Sequence, residues 1–285
     1  MTGRHPDPMI TVEALAARLG APDLRILDAS WVLPGVERDP KSEFFARRIP
    51  GAQFFDIDEI ADTASPLPHM APSPEKFASR MRKMGVGDGS TVVVYDSAGV
   101  FSAARVWWTF RLMGHEDVFV LDGGLPAWIA AGFEVEDGQP APRQERHFTP
   151  RLRSDLVRSM TDMRRLTDAG TAAILDARPP GRFAGVDPEP RPGLRGGHMP
   201  GARNVPVSAV VGADGTLKSS EELRATFAAA GVEARKPVAT TCGSGVTAAI
   251  LTLALARIGR WDVGLYDGSW AEWGAAPDAP VVTGA

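Results

Sequence analysis

The chain has 285 residues, 44% of them hydrophobic and 23% charged, which is enough for one large domain or two ordinary ones. Its formal charge of −4 offers no basic footprint for nucleic acid, and its single cysteine, Cys242, cannot close an internal disulfide, so secretion gains no support. No apolar run reaches membrane-spanning length, and the N-terminal stretch MTGRHPDPMITVEALAARLG has no apolar signal core; no membrane association is expected, and the expected compartment is the cytoplasm.

In chain order, Thr11 is placed to cap a helix running to about Leu19, and LRILDA (24–29) follows as a strand. Ser73-Pro74-Glu75 combines a cap, a proline at the first turn and an acid near the positive helix end, which predicts the next helix. TVVVY is a buried-type strand, a helix covers about Ser102–Met113, and DVFVL is another strand. The second half repeats the pattern with AAILDA, a helix from Ser220 to about Ala230, PVATT, a helix from about Val246, and DVGLY. Short apolar runs alternating with helices predict parallel βαβ units and a sheet covered on both faces.

The chain is written twice. LRILDASW (24–31) returns as AAILDARP (172–179), RRIPGAQFFDI (47–57) as GHMPGARNVPV (197–207), STVVVYDSAGV (90–100) as KPVATTCGSGV (236–246), and LDGGLPAW (121–128) as YDGSWAEW (266–273). Four collinear matches at offsets of 145 to 150 residues mean a duplicated domain, because the period is far above that of a solenoid repeat. The polar, proline-bearing stretch 136–155 has no apolar period and marks a linker; the expected partition is a first domain at 1–140, a linker at 141–157 and a second domain at 158–285.

Cys242 directly follows PVATT, and ligands of parallel sheets sit at the carboxyl ends of strands. A free cysteine is usually a small buried hydrophobe. Here Gly243 and Gly245 let the backbone turn tightly with its N–H groups toward the sulfur, and a helix starting near Val246 or Thr247 aims its positive end there; both effects favour thiolate. The duplicate loop carries Asp96 in place of Cys242, so the first half looks like a copy without the nucleophile. Phosphate-ester chemistry on a Cys-x5-Arg pattern lacks its cation, since position 248 is Ala248. Sulfur transfer needs only a ring of N–H donors around a terminal persulfide, which a short glycine loop supplies.

The chain resembles the tandem-domain rhodanese-type sulfurtransferases, and CGSGVTA (242–248) resembles the active loop of the 3-mercaptopyruvate sulfurtransferases among them. The resemblance spans both halves through DASW, FFDID, SPLPHM, DARPPGRF, EPRPGLRGGHMPGA and DGSWAEW. It implies an α/β fold of two tandem rhodanese-like domains, each a parallel sheet flanked by helices, with the second domain catalytic. It implies that Cys242 carries the sulfur as a persulfide, with Gly243, Gly245, Val246 and Thr247 lining the bound donor. Arg182 and Arg191 match the family's arginines for the carboxylate and keto oxygen of 3-mercaptopyruvate, a task suited to a planar guanidinium; the plainer alternative makes them solvated loop arginines or partners of Glu189 and Asp187. The resemblance also sets Asp58 and His69 beside Ser244 as a proton relay, which would build one site from both domains. His198, Asp28, Asp176, Trp107, Trp108, Trp128, Trp270 and Trp273 are expected to be structural.

Relatives specialised for thiosulfate carry two cations in this loop, where Gly243 and Ser244 stand here. The alternatives are therefore a thiosulfate:cyanide sulfurtransferase, which that difference disfavours, and a persulfide carrier without turnover. The donor is expected to be a small molecule and the acceptor thioredoxin, a small thiol or cyanide. With no Cys/His cluster for a metal and no phosphate loop, no cofactor is expected.

Overall fold

The structure, a computed structural model, describes residues 6–234 and 236–284; the first five residues of the N-terminal stretch read above lie outside it. Ten strands are named here in chain order: β1 Met9–Ile10, β2 Leu24–Asp28, β3 Gln53–Phe54, β4 Thr91–Tyr95, β5 Val118–Leu121, β6 Val157–Arg158, β7 Ala173–Asp176, β8 Ala202–Asn204, β9 Val238–Thr241 and β10 Val263–Tyr266. They form two five-stranded sheets of the same order, β1-β5-β4-β2-β3 and β6-β10-β9-β7-β8, and every pairing is parallel. The α/β fold of two parallel sheets with flanking helices is thus present, and the repeat in the sequence is a repeat in topology.

The chain divides into two compact units. Unit 1 is Met1–Thr63, Pro72–Arg153 and Ala213–Leu217; unit 2 is Ala64–Ala71, Ser154–Gly212 and Lys218–Ala285. Each unit takes in a short segment from the other half of the sequence, and the two segments are fastened alike. In unit 1 the Leu217 N–H donates to Asp122 Oδ1 at 2.8 Å, and in unit 2 the Ala71 N–H donates to Asp267 Oδ2 at 2.7 Å. His69 accordingly sits in unit 2, although it belongs to the first half of the sequence.

The central strands form because their residues are apolar without alternation: β4 and β10 are buried along their whole length, as strands covered on both faces must be. Arg25 is a buried cation within β2, and its guanidinium is satisfied by the carbonyls of Gly85, Pro22 and Leu24. The covering helices start where the caps predict. Ser73 accepts from the Lys76 N–H ahead of the helix Pro74–Lys83, and Ser219 and Glu222 form a reciprocal capping box on the helix Ser220–Ala229. The helix after β9 is Ala248–Arg257, buried on all sides through Ala256. Five of the seven tryptophans are core: Trp107, Trp108, Trp128, Trp270 and Trp273 are at most 2% exposed. Among the described residues no helix is long and apolar enough to cross a membrane.

Candidate active site

In unit 2 the loop between β9 and the helix Ala248–Arg257 holds Cys242, which is 2% exposed. Its Sγ accepts the Gly245 N–H at 3.1 Å. Gly245 has φ +80°, a conformation that a side chain disfavours, so glycine lets this amide turn back onto the sulfur. Two amides at the helix start are engaged within the helix itself. Those of Ala249 and Ile250 donate to the carbonyls of Val246 and Thr247, at 3.3 and 3.1 Å, so the donor on the sulfur is Gly245 and the helix adds its dipole. Val246 and Ser244 are buried beside Cys242.

The backbone of the loop is anchored from the short helix Ser269–Trp273 that follows β10. The Cys242 N–H donates to Ser269 Oγ at 3.2 Å, the Cys242 carbonyl accepts the Trp270 N–H at 2.9 Å, and the Gly243 carbonyl accepts the Ala271 N–H at 2.9 Å. The Ser269 hydroxyl donates onward to the Tyr266 carbonyl at 2.8 Å.

Two arginines face this loop. A methyl group at Gly243 would lie 3.1 Å from Nη2 of Arg182 and 3.9 Å from Nη1 of Arg191. Arg182 comes from the short helix Pro180–Ala184 and Arg191 from the turns that follow it. Arg182 donates to Glu189 Oε2 through Nε and Nη2, so the partner that the plainer reading named is present as Glu189. A guanidinium has five N–H donors, and this contact uses two of them.

Glu189 is itself buried, and its other oxygen accepts Arg178 Nη1 at 2.7 Å. Arg178, 1% exposed, is also paired with Asp176 and lies 4.1 Å over the Trp270 ring. Burial works against its charge, but Asp176 and Glu189 outweigh it and hold the guanidinium more firmly protonated than usual. The chain Asp176–Arg178–Glu189–Arg182 runs from the end of β7 to the loop and fixes where Arg182 stands. Sequence reasoning missed Arg178; its signal was an arginine two residues beyond a strand-end aspartate. Asp176 caps the Arg178 N–H at 2.9 Å, and His198 is stacked on Phe183 with Nδ1 2.9 Å from the Phe183 carbonyl, both structural as expected.

His69 Nε2 lies 3.5 Å from Arg191 Nη2, within unit 2. Asp58 belongs to unit 1, where its carboxylate accepts the Trp31 indole N–H at 3.2 Å. Cys242, Gly243, Ser244, Gly245, Val246, Thr247, Arg182, Arg191 and His69 thus all fall in unit 2, and Asp58 in unit 1.

The duplicate loop in unit 1 holds a carboxylate through its amides. The Asp96 carboxylate, fully buried, accepts the N–H groups of Ala98, Phe101 and Ala103, each at 2.9 Å. Burial raises its pKa to about 6, against the three amide bonds. The loop is an amide cradle for an anion, filled in unit 1 by a side chain of its own.

A parallel α/β unit that presents a thiol under a loop amide, with two guanidiniums facing the loop, defines a cysteine-dependent group-transfer class. The rhodanese-like domain model matches residues 11–131 and 159–276. The 3-mercaptopyruvate sulfurtransferase of Escherichia coli K12 is 45% identical over 268 residues, covering 94% of this chain and 95% of that protein. The thiosulfate/3-mercaptopyruvate sulfurtransferase 1, mitochondrial, of Arabidopsis thaliana is 41% identical, covering 96% of this chain and 78% of its own. The crystal structure of SseA from Escherichia coli, presented for the fold and mechanism of 3-mercaptopyruvate sulfotransferases, superposes with a TM-score of 0.85 at 41% identity, over 93% of this chain and 99% of that one. The chain belongs to the rhodanese family, as a tandem-domain member.

Proposed function

We propose that this protein is a 3-mercaptopyruvate sulfurtransferase. The observation that carries the reading is the pairing of a loop amide on Cys242 Sγ with the Arg182 and Arg191 guanidiniums beside Gly243. The Cys242 thiolate attacks the donor sulfur, the S–C bond breaks, and its electron pair leaves as the enolate of pyruvate. The donor's thiol proton ends on the pyruvate methyl group, and the enzyme keeps a persulfide anion. An acceptor thiolate then takes the outer sulfur and regenerates Cys242. Loop amides hold the persulfide, in the way that three loop amides of unit 1, not the counterparts of Gly245, hold the Asp96 carboxylate.

Arg182 and Arg191 bind the donor's carboxylate and keto oxygen, with Val246 and Thr247 closing the loop side. Ser244 and His69 carry the proton; the part of Asp58 in that relay rests on the family resemblance alone. A donor anchored through its own carboxylate fits a loop with no cation at Gly243 or Ser244, which favours 3-mercaptopyruvate over thiosulfate. The second half, about 158–285, carries the nucleophile; the first, about 1–140, carries none, although His69 of the relay belongs to it. The acceptor is thioredoxin, a small thiol or cyanide, and the compartment the cytoplasm, which fractionation tests.

Intact mass after incubation with 3-mercaptopyruvate is the direct test. A gain of one sulfur atom is expected in the wild type and no gain in Cys242→Ser, whose hydroxyl cannot hold a transferable sulfur. Transfer surviving in Cys242→Ser would overturn the reading.

A further inference from the structure

Among the described residues only two besides glycine have positive φ, His69 at 59° and Ser269 at 49°. Both lie in unit 2, and the duplication provides a counterpart for each. Counted from the helix caps Ser73 and Ser219, His69 answers to Gly215; counted along LDGGLPAW and YDGSWAEW, Ser269 answers to Gly124. Those glycines have φ 78° and 57°. The left-handed residue is thus glycine in the unit whose loop carries Asp96 and a strained side chain in the unit that carries Cys242, although the residue before it differs, Gly123 at φ 75° and Gly268 at φ −63°. Strain of this kind persists where the side chain has a task. His69 has one in the relay proposed above; Ser269 has had none.

The hydrogen bonds supply it. Ser269 is fully buried, accepts the Cys242 N–H and donates to the carbonyl that ends β10. Trp270 and Ala271 hold the next two carbonyls of the loop. In unit 1 the Leu125 N–H makes the first of these carbonyl bonds, to Asp96, at 3.0 Å. Gly124 has no hydroxyl to offer, and Pro126, the counterpart of Ala271, has no N–H. The unit with the thiol therefore adds two anchors to the nucleophile loop that its silent copy cannot make.

We infer that Ser269 is a positioning residue for the nucleophile: its hydroxyl fixes the Cys242 peptide so that the sulfur stays beneath the Gly245 N–H. This rests on Cys242 being the nucleophile. Its hydroxyl is engaged by the Cys242 N–H and the Tyr266 carbonyl, so its loss acts on the attack step and leaves donor binding alone.

Ser269→Gly restores the residue of the duplicate and removes strain and hydroxyl together; Ser269→Ala removes the hydroxyl and keeps the strain. Single-turnover persulfide formation and steady-state kinetics with 3-mercaptopyruvate are measured for both, with thermal midpoints. A buried hydrogen bond of ordinary strength corresponds to about a three- to tenfold loss, expected in the single-turnover rate and in kcat for both variants with KM unchanged. The glycine variant is expected to melt above the alanine variant, because only alanine keeps the left-handed strain. A Ser269→Gly enzyme with wild-type kcat, or with the loss confined to KM, would overturn the assignment. Cys242→Ser is the control. If it is inactive while Ser269→Gly is unimpaired, only the role of Ser269 fails; if it is active, the nucleophile itself has been misassigned.

Discussion

Glu189 takes both of its hydrogen bonds from Arg182 on one carboxylate oxygen, Oε2, which leaves Oε1 to Arg178. One buried carboxylate thus ties a guanidinium facing the loop to one locked inside the unit. Glu189→Gln removes the charge shared by both. It is expected to lower stability by about 2–4 kcal/mol, because Arg178 is left buried with Asp176 alone. It should also raise KM for 3-mercaptopyruvate, since Arg182 loses its support. Denaturant midpoints and steady-state kinetics check both; an unchanged KM would show that Arg182 is placed by other contacts.

Gly243 tests how closely the arginines approach the loop. Its φ lies outside the left-handed region, so an alanine backbone fits, but the added methyl would sit 3.1 Å from Arg182 Nη2. Gly243→Ala is expected to fold normally and to raise KM for 3-mercaptopyruvate about three- to tenfold by pushing Arg182 aside. A circular dichroism melt and a KM measurement decide it.

Arg182→Ala and Arg191→Ala should separate the two donors. A charge-assisted contact to a carboxylate is worth about 1.5–3 kcal/mol, so kcat/KM for 3-mercaptopyruvate is expected to fall roughly tenfold to a hundredfold. Thiosulfate, which has no carboxylate, should suffer less. Equal losses with both donors would mean that these arginines serve the fold.

Asp96 predicts a pH dependence of stability. Its folded carboxyl holds the proton up to about pH 6, whereas an unperturbed one releases it near 3.8. Between those values the folded state binds more protons than the unfolded state, so this group's contribution falls as pH rises and is level above about 6. Asp96→Asn cannot titrate. The stability of wild type relative to the variant should therefore decline by at most about 3 kcal/mol from pH 4 to pH 6, then stay flat. Urea midpoints of both proteins at pH 4, 5, 6 and 7.5 measure it; a constant difference across the range would mean that Asp96 is ionised throughout.

The central strands were legible because their apolar runs and bounding turns are local. β2, β4, β5, β7, β9 and β10 stand where LRILDA, TVVVY, DVFVL, AAILDA, PVATT and DVGLY predict them. The edge strands β1, β3, β6 and β8 were not read, since two or three residues such as Met9–Ile10 or Gln53–Phe54 carry no periodicity and are strands only because a neighbour offers its edge. Boundaries moved for the same reason: the helix capped by Thr11 ends at Ala16 and continues as turns.

At the site, the order of residues along the chain determined the duplication, the thiol at a strand end, the glycine turn and the absence of a cation in the loop, because each is a matter of spacing within a few residues. Tertiary structure decided the rest. It placed Ala64–Ala71, with His69, in the unit that holds Cys242, although the repeat assigns that stretch to the first half. It tied Arg182 through Glu189 to the buried Arg178, and it put Ser269 under the Cys242 amide. These contacts join residues far apart in sequence. A sequence pattern records which side chains the chain carries, whereas which donor meets which acceptor is set by packing the sheets and helices against one another.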